Sequence, residues 1–105
     1  MELEDLLQFI DKEDKRLKEY YEDSDNQKIA LVRSTKLAEE VGELCGEVLA
    51  HNSLQRKEKS KKHNPEELSE EFADVIIVTS LLAKTMNINI RESLRKKIEK
   101  VDKRY

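Results

Sequence analysis

One cysteine, one proline, two glycines and no tryptophan are spread over 105 residues, and aromatic side chains make up only 5% of them. Cys45 has no partner for an internal disulfide, and no apolar signal region opens the chain, so the expected compartment is the cytoplasm. The scarcity of glycine and proline removes the punctuation that a turn-rich β fold needs. No long hydrophobic run exists either. The longest, Val75-Ile76-Ile77-Val78, continues through Leu81, Leu82 and Ala83, far short of the ~20 apolar residues of a membrane span. Neither charge dominates: 23 acidic and 20 basic residues leave a net charge of -3. Nucleic acid and anionic membrane are therefore poor partners, because no global basic field is available to hold them. A glycine-rich phosphate loop and a zinc-type cysteine and histidine cluster are also missing.

What remains is charge on helical spacing. Charged residues form 41% of the chain, and a composition of this kind favours long, surface-rich helices. The expected fold class is all-α, with about four helices in a single domain over residues 1–105. Leu3, Leu6, Leu7, Ile10, Leu17 and Tyr21 predict an amphipathic helix over residues 2–23. The Asp23-Ser24-Asp25-Asn26 turn ends it, because these short polar side chains compete for nearby backbone groups. A second helix is expected from Gln27 to His51, its apolar stripe formed by Ala30, Leu37, Val41, Leu44 and Val48. Gly42 and Gly46, four residues apart on another flank, are read either as a point of close approach by a neighbouring backbone or as tolerated surface glycines. Residues 52–64 are rich in lysine and arginine and read as a solvated loop, the alternative being that some of its cations reach over the acidic cleft to polyphosphate. Asn64 as N-cap and Pro65 at the first helical position start a third helix, which runs to about Met86. Beyond Asp74 this helix is apolar nearly all round, and a chain this small needs a second subunit to bury it. Asn89 and Glu92 have the spacing of a capping box for a fourth helix from Ile90 to about Arg104.

Two acidic stretches sit against the apolar segments: Glu39-Glu40-Val41-Gly42-Glu43 and Glu71-Phe72-Ala73-Asp74. On helices, Glu40 and Glu43 share one face, as do Glu71 and Asp74. Two such helices face to face would gather four carboxylates, whose repulsion calls for a hard divalent cation. An all-oxygen, highly anionic donor set selects magnesium, manganese or calcium over zinc, with magnesium foremost. Magnesium usually keeps waters that phosphate oxygens displace, so the pattern points to phosphate-ester or phosphoanhydride chemistry. A di-iron bundle is excluded by the absence of Glu-x-x-His motifs. The rival reading is a non-catalytic helical module that binds nucleotide or metal without turnover.

Glu39-Glu40-x-x-Glu43 followed by Glu71-x-x-Asp74 resembles the EExxE…ExxD signature of the MazG-like, all-α nucleoside triphosphate pyrophosphohydrolases. The similarity is strongest from about Thr35 to Ala83. It implies an antiparallel bundle of about four helices whose core is completed by dimerisation and whose dimer interface contributes to the active site. It also implies hydrolysis of a nucleoside triphosphate to the monophosphate and pyrophosphate by a homodimer or homotetramer. It further implies that Glu40, Glu43, Glu71 and Asp74 are magnesium ligands, with manganese an alternative ion, and that Glu39 handles the attacking water. The family often ends in a lysine, an asparagine four residues on and a basic-aromatic pair. Lys97, Arg104 and Tyr105 fit that pattern as substrate-binding residues, and Val101 stands where the asparagine is expected. With no tryptophan, base stacking falls to Tyr20, Tyr21, Phe72 or Tyr105, of which Phe72 is expected in the core.

Overall fold

Four α-helices start where the sequence provides an acceptor for their first backbone N–H groups. The computed structural model describes residues 1–21, 25–52 and 64–105, so most of the basic stretch at 52–64 and the Asp23-Ser24 part of the first turn lie outside the described residues. Helix α1 spans Leu3–Lys18 and tightens into a 3-10 turn over Glu19–Tyr21; α2 spans Asn26–His51, α3 Pro65–Thr85 and α4 Ile90–Asp102. Ahead of α1, Asp5 Oδ2 accepts from the Glu2 N–H at 2.7 Å. Asp25 Oδ1 accepts from the Lys28 N–H at 2.9 Å, Asn64 Oδ1 from Glu66 at 3.0 Å and Asn89 Oδ1 from Glu92 at 3.1 Å. Each satisfies a donor that has no partner inside its own helix. The return arm of the expected capping box goes elsewhere, since the Glu92 carboxylate holds Arg95 at 2.8 Å. Helix α3 stops at Asn87, which adopts φ 57°. The Ile88 N–H then reaches the Ala83 carbonyl at 2.8 Å and Asn87 reaches Lys84 at 3.0 Å, a helix stop for which asparagine is the usual substitute for glycine.

The chain divides into two compact units, Met1–Ala30 with Ser80–Tyr105, and Leu31–Thr79. In the first, Ile10, Ile29 and Leu81 form the buried core, with Asp14, Ser80 and Thr85 also buried. Asp14 is bridged by Lys18 at 3.1 Å. Helix α1 is tied to the end of α3 by Lys84 to Asp11 at 2.8 Å and to the start of α4 by Arg91 to Glu4. The hydrogen bond to Asp11 raises the Lys84 pKa above its ordinary value.

In the second unit α2 is rotated relative to the expected stripe. Its most buried positions are Arg33, Glu40 and Ala50, while Val41 and Val48 are 41% and 39% exposed. Leu37, Leu44 and Glu47 are half-buried on the inner side. The inward face thus carries two acids and an arginine among its leucines, and the valines of the expected stripe lie outside. On α3, Val75, Ile77 and Val78 are half-buried, but Phe72 and Ile76, one turn apart, are 52% and 54% exposed. Phe72 is therefore not a core residue of the single chain. Of the two readings of the glycines, close approach is not seen at Gly42, where an added Cβ would meet nothing within 4 Å among the described residues.

These local features separate in a denaturation experiment. Gly42→Ala should stabilise the chain by roughly 0.5–1 kcal/mol, because alanine costs less helix entropy at an uncrowded site. Asn89→Ala should destabilise it by about 1 kcal/mol through loss of the α4 cap. Urea unfolding followed by circular dichroism reads both, and opposite signs are expected.

Candidate metal and phosphate site

Glu40 and Glu43 project from α2 one turn apart, and Glu71 projects from α3. One carboxylate oxygen from each lies within 4.8 Å of the other two. Glu40 is buried at 6% exposure, Glu71 is half-buried and Glu43 is exposed. The cluster is thus closed on the Glu40 side and open on the Glu43 side. Asp74, one turn beyond Glu71 on α3 and half-buried, is not among the three whose oxygens converge, but its charge acts on Glu71. Glu39 is not among the converging acids, and its side chain is 59% exposed.

The electrostatics are those of acids held closer than they tolerate. Burial raises the Glu71 pKa from 4.5 to about 7, and the charge of Glu43, a hydrogen bond with Glu40 and the charges of Glu40 and Asp74 add to the effect. The counter-cation at this end of the cluster is the Lys36 ammonium, 3.2 Å from Glu40 Oε1 and 3.7 Å from Glu39 Oε2. Its own pKa is raised above the ordinary value, first by the hydrogen bond to Glu40.

Even so, Oε2 of Glu40 and Oε2 of Glu71 are buried with no hydrogen-bond partner. Orphaned acceptors of this kind are costly unless a further ligand satisfies them. A hard divalent cation fits the donor set. Ligand oxygens opposite one another across magnesium are about 4 Å apart, so small side-chain movements would bring the three carboxylates onto one ion. Residues Leu31, Val32, Thr35, Lys36 and Glu39 line a cavity of about 450 Å³ beside the cluster. A cavity of similar volume in the first unit is lined by Glu4, Asp11, Lys84 and Arg91, whose charges are already matched in ion pairs. Chemistry therefore centres on the second unit.

Sequence reasoning missed Lys36 on α2, which is detectable as a cation one turn before Glu40 and contacts both Glu40 and Glu39. Lys97, Arg104 and Tyr105 are exposed residues of the first unit, as is Tyr20 on the 3-10 turn. His51 is the exposed last residue of α2. No helix among those described is long and apolar enough to cross a membrane by itself.

Comparison with known proteins gives one family. The model of the MazG nucleotide pyrophosphohydrolase domain matches residues 30–105. No curated protein and no solved structure matches the chain.

The sign of the Glu71 shift makes the site testable without substrate. An acid whose pKa rises on folding stabilises the protein below its unfolded value and loses that contribution as pH increases through the folded value. In chelator, wild-type protein should lose stability relative to Glu71→Gln as pH rises from 4.5 to about 7. Adding magnesium or manganese at the upper end of that window should raise the wild-type Tm and leave the variant nearly unchanged. Thermal unfolding across a pH series, with and without the ion, measures both effects.

Proposed function

Because the chain belongs to the MazG nucleotide pyrophosphohydrolase family, we propose that it hydrolyses nucleoside triphosphates, natural or modified, to the monophosphate and pyrophosphate in a magnesium-dependent reaction. The observation that carries this reading is the convergence of Glu40, Glu43 and Glu71 from two helices, with buried oxygens of Glu40 and Glu71 still unsatisfied. Members of the family typically depend on a divalent metal, and this donor set suits magnesium, with manganese as an alternative.

Glu40, Glu43, Glu71 and Asp74 would hold the metal. Once bound, the ion supplies positive charge for the triphosphate oxygens and makes a coordinated water more acidic. Glu39 lies next to the ligand set without being drawn into it, and its exposed carboxylate can accept a proton from water. In the reaction, the water oxygen bonds to the α-phosphorus, Glu39 takes the proton, and the bond to the β-phosphate bridging oxygen breaks to release pyrophosphate. Lys97 and Arg104 would contact phosphates and Tyr105 the nucleoside, in line with the end-of-chain pattern. Val101, half-buried on α4, offers no amide where the family often has one.

The whole chain, residues 1–105, is proposed to form one MazG-like domain that completes its core as a homodimer or homotetramer. Val41 and Val48 on α2, with Phe72 and Ile76 on α3, leave apolar surface uncovered in the single chain, the kind of surface that subunit contacts bury.

Pyrophosphate release from a panel of natural and modified triphosphates with magnesium tests the activity. Release should occur with at least one member and should be lost in the Glu40→Gln, Glu71→Gln double variant. Glu39→Gln should retain manganese binding while turnover falls by roughly 10²–10⁴. No release from any triphosphate, or undiminished release by the double variant, would place the chain with non-catalytic binding modules. By light scattering, the native mass should exceed the 12.3 kDa of one chain. A strictly monomeric species at micromolar concentration contradicts the proposed assembly.

A further inference from the structure

Lys36 is bound at one end of the acidic cluster in a way that leaves it able to move. Its ammonium bridges Glu40 at 3.2 Å and Glu39 at 3.7 Å, yet its side chain is 53% exposed where that of Glu40 is 8% exposed. One end of the bridge is fixed in the protein and the other stands in water. Lysine ahead of glutamate at this helical spacing is also the weaker order of the two, and an ion pair open to solvent contributes little. Glu40, meanwhile, has one oxygen on the lysine and another, buried, with no hydrogen-bond partner.

Charge balance sets the consequence. A divalent cation held by Glu40, Glu43 and Glu71 supplies Glu40 with the positive charge that Lys36 gives it otherwise, and adds like charge close to the ammonium. The lysine then loses its reason to stay. It stands on the rim of the cavity lined by Leu31, Val32, Thr35 and Glu39, whose size suits a small ligand. Among the described residues of this unit the lysine and arginine side chains are Lys36 and Arg33, and Arg33 is buried at 4% exposure. A compact ammonium on a flexible stem suits a task with two alternative partners.

We propose that Lys36 is a substrate-binding residue whose ammonium leaves Glu40 when a divalent cation binds and takes a non-bridging phosphate oxygen of the incoming triphosphate. This inference rests on reading the acidic cluster as a nucleotide site. It gives Lys36 a different role from that of a prop for Glu40, and the two roles predict opposite effects on metal affinity. A prop, once removed, weakens metal binding. A competitor, once removed, does not.

The test uses the full chain with Lys36→Met and Lys36→Arg, which keep most of the stem on a half-exposed position. Calorimetric titration with manganese alone is followed by titration with a non-hydrolysable triphosphate analogue at saturating manganese. Lys36→Met should bind manganese as tightly as wild type or several-fold more tightly, and should bind the analogue on the order of ten-fold more weakly. Lys36→Arg should recover most of the analogue affinity. Reduced manganese affinity in Lys36→Met, or analogue affinity equal to wild type, overturns the proposal. If wild type binds manganese and no analogue, the nucleotide reading itself fails and the role of Lys36 falls with it. Wild-type binding with an indifferent Lys36→Met removes the lysine alone.

Discussion

Mutual repulsion among the acids on facing turns of α2 and α3 is the constraint on which the second unit depends. Carboxylates within 4.8 Å of one another, one of them buried, cannot all be charged without compensation. The chain meets that demand in part: burial and the neighbouring acids push the Glu71 carboxyl toward its neutral form, and the ammonium of Lys36 sits on one oxygen of Glu40. The buried Oε2 atoms are left unsatisfied. The arrangement is consequently folded around a charge deficit, and a divalent cation is the species whose charge and preference for oxygen answer it.

This constraint also explains why α2 sits as it does. An amphipathic helix ordinarily turns its apolar stripe inward. Here the inner face runs through Arg33, Leu37, Glu40, Leu44 and Glu47, and it leaves Val41 and Val48 at the surface. Packing Glu40 against α3 sacrifices some apolar burial, and the loss shows in the core. Among the described residues, the buried hydrophobic side chains are Ile10, Ile29, Ala50 and Leu81, and just one of them, Ala50, belongs to the unit that carries the site. The site and the core draw on the same helix faces, and the valines, Phe72 and Ile76 are left uncovered in the single chain.

Much of this was legible beforehand, for reasons tied to particular residues. The helices were readable because their starts are chemical: Asp25, Asn64 and Asn89 each accept from the first turn, and such caps are local events that tertiary packing seldom overrides. The acidic pairs were readable because a three-residue interval on a helix leaves little freedom about which side chains share a face. The rotation of α2 was not readable. The stripe rule assumes that apolar residues decide the inner face, and at this site carboxylates share it. The same assumption misplaced Phe72, whose neighbour Glu71 occupies the position that turns inward. At Gly42 sequence left two readings open, because helical spacing of glycines records only permission for close approach, and among the described residues nothing approaches.

The division of labour proposed for Glu39 and Glu40 is consistent with this rotation. Adjacent residues on a helix are separated by about 100° of turn, so once Glu40 is drawn against α3, Glu39 must stand at the edge with its carboxylate in solvent. A metal ligand gains from burial and a fixed rotamer, because both strengthen its hold on the ion. A proton acceptor gains from access to water and from a carboxylate not committed to the ion. The same pair of glutamates cannot exchange these roles without rotating the helix and dispersing the cluster. Lys36, in contact with both, therefore touches two acids with different duties. Its release would free the outer oxygen of Glu40 and the carboxylate of Glu39 in the same movement.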